Sequence, residues 1–238
     1  MYEFSTRVRY SETDEAKKLT LPALVNYFQD CAVSHSEDVG LSVGAMARDH
    51  MAWILLTWQI AVARMPDLGE TVRVVTNPYR IGGCLGLRNF GLFASDGTRL
   101  AAADSTWALL DTEKGHLTRM PPDFAERYGV GKKWDLGFGG VHIRTAGEMT
   151  EREPVRVSRY MLDSNRHVNN DWYVRLAVSC LPEGFVPALM KAEYKRSAVL
   201  ADLICPATVQ EDGRVLVLLL DEEKKPYANL EFTGRVDA

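Results

Sequence analysis

Several features that would fix a function at once are scarce or missing in this chain of 238 residues. A basic excess is absent: 28 Lys and Arg stand against 32 Asp and Glu, for a net charge of −4. Nucleic-acid binders usually carry the opposite imbalance, so no nucleic-acid partner is expected. Cysteine is sparse, and Cys31, Cys84, Cys180 and Cys205 lie far apart. No CxxC and no Cys/His pair has zinc-ligand spacing, so the sequence calls for no metal and no cofactor. Scattered thiols in a chain of this size fit reduced core cysteines of the cytoplasm. Long apolar runs are missing too. The most apolar stretch, MAWILLTWQIAVA, contains Thr57 and Gln59. It is too short for a membrane span and reads as a buried strand. The charged, alternating start MYEFSTRVRY does not read as a signal peptide.

Three short motifs fail on context. GLSVG at 40–44 has the G-x-S-x-G spacing of serine esterases. That elbow needs a strand before it and a helix after, whereas VSHSEDV before it reads as the end of a helix. Gly40 is then a helix stop and Ser42 a loop serine. YGVGKKW hints at a phosphate loop, but the first glycine would fall at Glu126, and Lys132 is followed by Lys133 rather than Ser or Thr. IGGCLGLRNFG lacks the dinucleotide spacing, and its glycines suit a bulge or a close backbone approach.

What is present is a soluble globular composition, 46% hydrophobic and 25% charged, in a length that suits one large domain or two small ones. An internal echo favours two. RVRYSETDEAKKLTLPALVNYFQDCA and VRVSRYMLDSNRHVNNDWYVRLAVSC both read as strand, polar loop, helix, with Arg9-Tyr10 matched to Arg159-Tyr160. Strand-like runs follow each helix: 52–63, 70–78, 84–95 and 99–110, then 188–197, 199–210, 214–221 and 226–235. DGT at 96–98 and EDGR at 211–214 are tight-turn signals. The first helix is marked by Pro22 in its first turn and Gly40 after its end, with Leu24, Phe28, Cys31, Ala32 and His35 on one face. The second has Asn169, Asn170 and Asp171 as caps, a face of Tyr173, Leu176, Ala177 and Cys180, and Pro182 with Gly184 as its stop. One helix followed by antiparallel strands is an α+β unit in which the sheet wraps the helix. The Gly-rich stretch before the second echo reads as a linker.

Four histidines have no constellation: His35, on a helix face, and His50, His116 and His142. His167 differs. It lies just before a helix start, in LDSNRHVNN, with Asp163 and Asn165 at alternating positions that face one way in an extended loop. The positive helix end disfavours imidazolium, and a neutral imidazole is a competent general base. Asn165 offers an amide donor to a carbonyl, Asp163 an acceptor to hold a neighbour, and a main-chain amide around Val168 to Asn170 a second carbonyl donor. These are parts for water attack on an acyl carbon. Asn- and Asp-rich caps and turns have the same composition, and the residues alone leave both readings open.

RYMLDSNRHVNNDWYV also resembles the second-repeat motif of the acyl-ACP thioesterases of plants and their bacterial relatives. LPALVNYFQDCAVSHSEDVG, WILLTWQIAVARMPDLGETVRV and STWALLDTEKGHLTRMP follow that family's N-terminal order. The resemblance covers nearly the whole chain, and Asp-x-Asn-x-His-Val-Asn-Asn is its most specific part, although related hot-dog thioesterases carry shorter versions. It implies a double hot-dog, two antiparallel sheets each wrapped around a central helix. The implied division is an N-terminal hot-dog over 1–130 with the acyl pocket, a linker over 131–152, and a C-terminal hot-dog over 153–238 with the catalytic loop. It implies hydrolysis of acyl-acyl carrier protein, with His167 activating water, Asn165 orienting the carbonyl and Asp163 holding one of them. Leu24, Phe28, Met51, Trp53 and Leu55 are the implied acyl-chain contacts, against the alternative of plain core.

The family's plant members end the following strand in a Glu-Cys pair, where KAEYKRSAVL has Ser197 and Ala198. No Cys nucleophile is therefore available there. Strand alternation would put Glu193, Lys195 and Ser197 on one face, with Ser197 positioning the water and Glu193 a weaker substitute. The implied partner is acylated acyl carrier protein, an acidic protein, met by Lys132, Lys133, Lys191, Lys195 and Arg196; a homodimer is compatible with it. The competing readings are an acyl-CoA thioesterase of the same fold and a non-catalytic acyl-binding protein.

Overall fold

Pro22 stands in the first turn of the longest helix, as expected, and Thr20 caps it. The Thr20 hydroxyl accepts the Ala23 amide at 3.3 Å, α1 runs Leu21–Asp38, and Gly40 leaves it with φ +71°. Gly tolerates that left-handed turn without the clash a side chain would bring. The whole expected face, Leu24, Phe28, Cys31, Ala32 and His35, is buried.

The computed structural model describes residues 1–211 and 213–236. Two units emerge: Met1–Leu56 with Val62–Phe138, and Thr57–Ala61 with Gly139–Ala238. The first unit holds β1 (Tyr2–Arg7), α1, α2 (Val43–Arg48), β2 (Met51–Val62, of which Thr57–Ala61 counts with the second unit), β3 (Thr71–Gly82), β4 (Leu85–Ala94), β5 (Arg99–Asp111), β6 (His116–Leu117) and α3 (Phe124–Tyr128). Its sheet runs β1-β3-β4-β5-β2 and pairs antiparallel through β1, β3, β4 and β5. The α1 stripe packs on it, with Phe28 and Phe90 ring centroids 5.4 Å apart. Burying side chains such as Leu24 and Phe28 contributes roughly 1.5–3 kcal/mol each. A second apolar cluster joins Leu41, Met46, Leu109, Met120, Phe124 and Tyr128.

The second unit holds β7 (Thr150–Glu151), β8 (Val155–Arg156), α4 (Asn170–Val178), β9 (Phe185–Tyr194), β10 (Leu203–Glu211), β11 (Arg214–Leu220) and β12 (Pro226–Val236). Thr57–Ala61 pairs with β9, and the order continues β12-β11-β10-β7. α4 lays Tyr173, Val174 and Ala177 into the core.

Several expectations need correction. The Arg-Tyr match of the two halves is one residue out of step: the short helical turns are Tyr10–Glu12 and Arg159–Met161, so Tyr10 corresponds to Arg159. Side-chain identity misled there, because both tyrosines are exposed and nothing fixes their register. α4 stops at Val178, so Cys180 lies beyond the helix. GLSVG opens α2, a helix not expected, with Ser42 as its cap accepting the Ala45 amide at 3.0 Å. The run 188–197 is shifted, since β9 ends at Tyr194, and 199–210 starts only at Leu203. In EDGR, Asp212 lies outside the described residues; Gly213 has φ +65° and Glu211 pairs with Arg214.

Candidate active site

The nine-residue stretch around His167 is a tight turn, not an extended loop. Arg166 takes φ +61°. The chain reverses so that Asp163 donates its amide to His167 O at 2.8 Å, and Leu162 forms a single antiparallel bridge with Val168. Strand-like alternation therefore does not bring residues 163, 165 and 167 together. The Asp163 carboxylate does: Oδ1 accepts the amides of Asn165 at 2.8 Å and His167 at 3.1 Å. Its second oxygen lies 3.5 Å from Asn165 Nδ2. Asp163 thus braces the main chain of the turn and does not touch the imidazole ring. Asn165 and His167 side chains are exposed at its tip, and the His167 ring has no hydrogen-bond partner among the described residues.

Two further segments fix the turn. Val168 donates its amide to Ala198 O at 2.9 Å, and Asn169 donates to Met161 O at 2.9 Å. Those two amides are engaged, so of the expected main-chain donors to a carbonyl neither Val168 nor Asn169 serves. His167 and Val199 form an antiparallel bridge. Ala198 N–H in turn donates to the Tyr173 hydroxyl at 2.8 Å. Burial pushes the Tyr173 hydroxyl up to about 12, so it stays protonated. Sequence reading took Tyr173 only as part of an apolar face. The signal available was that a buried Tyr needs a partner for its hydroxyl.

The same turn exists in the first unit without the chemistry. Asp14 donates its amide to Lys18 O, its Oδ1 accepts the Lys18 amide, and Lys17 has φ +60°. Asp14 therefore matches Asp163, Ala16 matches Asn165 and Lys18 matches His167. Lys18 is held at 2.6 Å by Asp67. The carboxylate belongs to the turn in both units, while an amide and an imidazole side chain occur only in the second.

Ser197 is not on a strand face. β9 ends at Tyr194, and Lys195 to Asp202 form an irregular segment in which Ser197 is exposed. Of the expected common face, Glu193 and Lys195 still meet, while Ser197 lies in the irregular segment after the strand has ended. Glu193 is buried and bound to Lys195 at 3.0 Å. Among the expected acyl contacts, Leu24 and Phe28 are fully buried in the α1 core and Leu55 nearly so. Met51 and Trp53 are half-buried, Trp53 donating to Tyr128 Oη at 3.0 Å. None of the five lines either of two open cavities, one of about 310 Å³ beside Asp104, Trp134 and Phe138 and one of about 410 Å³ beside Leu176, Cys180 and Pro206.

The sequence matches the family model of the acyl-ACP thioesterase N-terminal domain over residues 1–128. The chain belongs to the acyl-ACP thioesterase family. Family relatives include the chloroplastic acyl-[acyl-carrier-protein] hydrolase FATB1 of Cuphea viscosissima, 24% identical over 194 residues, covering 75% of this chain and 46% of that protein. The chloroplastic oleoyl-acyl carrier protein thioesterase 1 of Arabidopsis thaliana is 23% identical over 219 residues, covering 83% and 60%. The chain thus spans roughly half the length of these curated relatives. Solved structures with the same fold include an acyl-ACP thioesterase from Bacteroides thetaiotaomicron (TM-score 0.89, 17% identity, 98% of this chain and 97% of that one). The 12:0-ACP thioesterase from Umbellularia californica gives TM-score 0.84 at 20% identity, covering 99% and 97%. The fold is the hot-dog, here in two copies.

Proposed function

We propose that this chain hydrolyses the thioester of acyl-acyl carrier protein, the second unit supplying the chemistry and the first the acyl-chain contacts. The observation that carries the reading is the braced turn, built in both units, that presents Asn165 and His167 in the second alone. His167 removes a proton from water as the oxygen attacks the acyl carbon. The Asn165 amide donates to the carbonyl oxygen as charge develops there. Collapse of the tetrahedral intermediate breaks the C–S bond, and the imidazolium returns the proton to the sulfur. The products are a free fatty acid and the carrier thiol. Ser197, which precedes the Ala198 tied to Val168, is assigned the orienting of that water. Leu24, Phe28, Met51, Trp53 and Leu55 receive the acyl chain, which requires their packed side chains to part. A cytoplasmic setting goes with the four free thiols.

The test is fatty acid release from a panel of acyl-carrier proteins, with the same acyl groups on coenzyme A as competitors. His167→Ala is expected to lower kcat/KM by about 10²–10⁴-fold, the usual worth of a general base. Undiminished release by that variant would end the water-activation reading. Preference for the coenzyme A donors would reassign the substrate and leave the chemistry intact.

A further inference from the structure

We infer that Tyr173 is a positioning residue for the turn that carries Asn165 and His167, an inference that rests on the catalytic reading above. Its hydroxyl is one end of a short relay. Tyr173, on α4 and 2% exposed, accepts the amide of Ala198, itself fully buried. Ala198 accepts the Val168 amide through its carbonyl, and Val199 bridges His167. Each of the first two links is a single hydrogen bond, and Ala198, which makes both, is fully buried between them. The segment from Lys195 to Asp202 belongs to no strand, so the hydroxyl ties it to the helix where a ladder does not. Through it, α4 is tied to the segment against which the turn closes.

The first unit shows what happens where no chemistry is needed. There Leu19 donates its amide to Pro66 O at 2.9 Å, as Val168 does to Ala198. Pro66 has no amide to satisfy. Leu24 stands five residues beyond Leu19, where Tyr173 stands five beyond Val168. The turn is held by the same carboxylate, yet the hydroxyl and the amide that needs it are both missing. The relay accompanies Asn165 and His167 and not the turn as such. Placement errors on the order of 1 Å can cost 10²-fold in rate, which is the scale a lost tie would produce.

Tyr173→Phe keeps the ring and removes the oxygen. Its kcat on acyl-carrier protein is expected to fall by about 10–100-fold with KM unchanged. Hydrogen exchange at the Val168 amide should quicken by about tenfold or more, which reads the turn independently of activity. Exchange as slow as in the wild type, or an unchanged kcat, would overturn the inference. If the wild type releases no fatty acid while exchange still quickens in the variant, the catalytic reading falls and the relay stands. A destabilised variant is controlled by Tyr173→Phe combined with Ala198→Pro, which copies the first unit by deleting the orphaned donor. Thermal stability should return there while kcat stays low. Full recovery of kcat would reduce the hydroxyl to a cap on one amide and sink the positioning role.

Discussion

Arg88 is a guanidinium inside the first unit with no carboxylate paired to it among the described residues. Its Nη1 lies 3.2 Å from His35 Nδ1 and 3.4 Å from Thr76 Oγ1, and its Cζ sits 4.7 Å from the Tyr128 ring centroid. Burial holds the Arg88 group below its ordinary range, and neutral acceptors with an aromatic face are what compensate it. His35 must then remain neutral. Burial first, and the Arg88 charge second, lower it to about 4. An unfolded histidine titrates near 6.5, so below that pH the unfolded chain takes up a proton that the folded chain refuses. Stability is therefore fully present above about pH 6.5 and is lost as pH falls toward 4. Thermal unfolding across pH 4 to 8 should show that slope, and His35→Gln should flatten it. A wild-type midpoint that does not move between pH 6.5 and 4.5 would contradict the neutral assignment.

The element on which the proposed chemistry rests is the turn between a short helical turn and α4, and the duplicate supplies its own control. Asp14→Ala and Asp163→Ala each remove an acceptor of main-chain amides. Both should cost stability, on the order of 1 kcal/mol per lost hydrogen bond. Only Asp163→Ala should lower turnover, and equal loss of turnover in the two variants would show that the turns act on activity through folding alone. Much of this element was legible. At α1, Pro22 and Gly40 speak through backbone geometry, and LDSNRHVNN announces a polar turn before a helix. The end of β9 was not. KAEYKRSAVLADLICPA alternates well enough to read as strand straight through residues 195–202. The break is made by contacts distant in sequence: Arg196 on Asp221 at 2.5 Å, and Ala198 on Tyr173. Ala201 then takes φ +72° where its counterpart Gly69 has +80°, a conformation alanine does not advertise. The role of Asp163 was half legible, since its residue type says turn, but only the structure shows that it binds main chain and not the ring.

Across the whole chain, charge bears on the proposed partner. The net charge of −4 opposes an acidic carrier protein, so docking by charge needs cations not already paired. Of the five basic residues expected to serve, Lys191 is bound to Glu231 at 2.9 Å, Lys195 to Glu193 at 3.0 Å and Arg196 to Asp221. Lys133 sits 5.3 Å from the Tyr79 ring centroid, and neither it nor the exposed Lys132 has an ion pair among the described residues. The turn adds Arg166, exposed beside His167 and without an ion pair among the described residues. With three of the five cations expected to serve already paired and the body net negative, the steering field is one that salt removes easily. Raising ionic strength from about 0.01 M to 1 M shortens the screening length from roughly 30 Å to 3 Å. KM for acyl-carrier protein should therefore climb over that range while kcat holds, and Arg166→Gln should raise KM at low salt and blunt the climb. A KM indifferent to salt would mean that the carrier protein is recognised through its acyl chain and apolar contacts, with charge contributing nothing to the encounter.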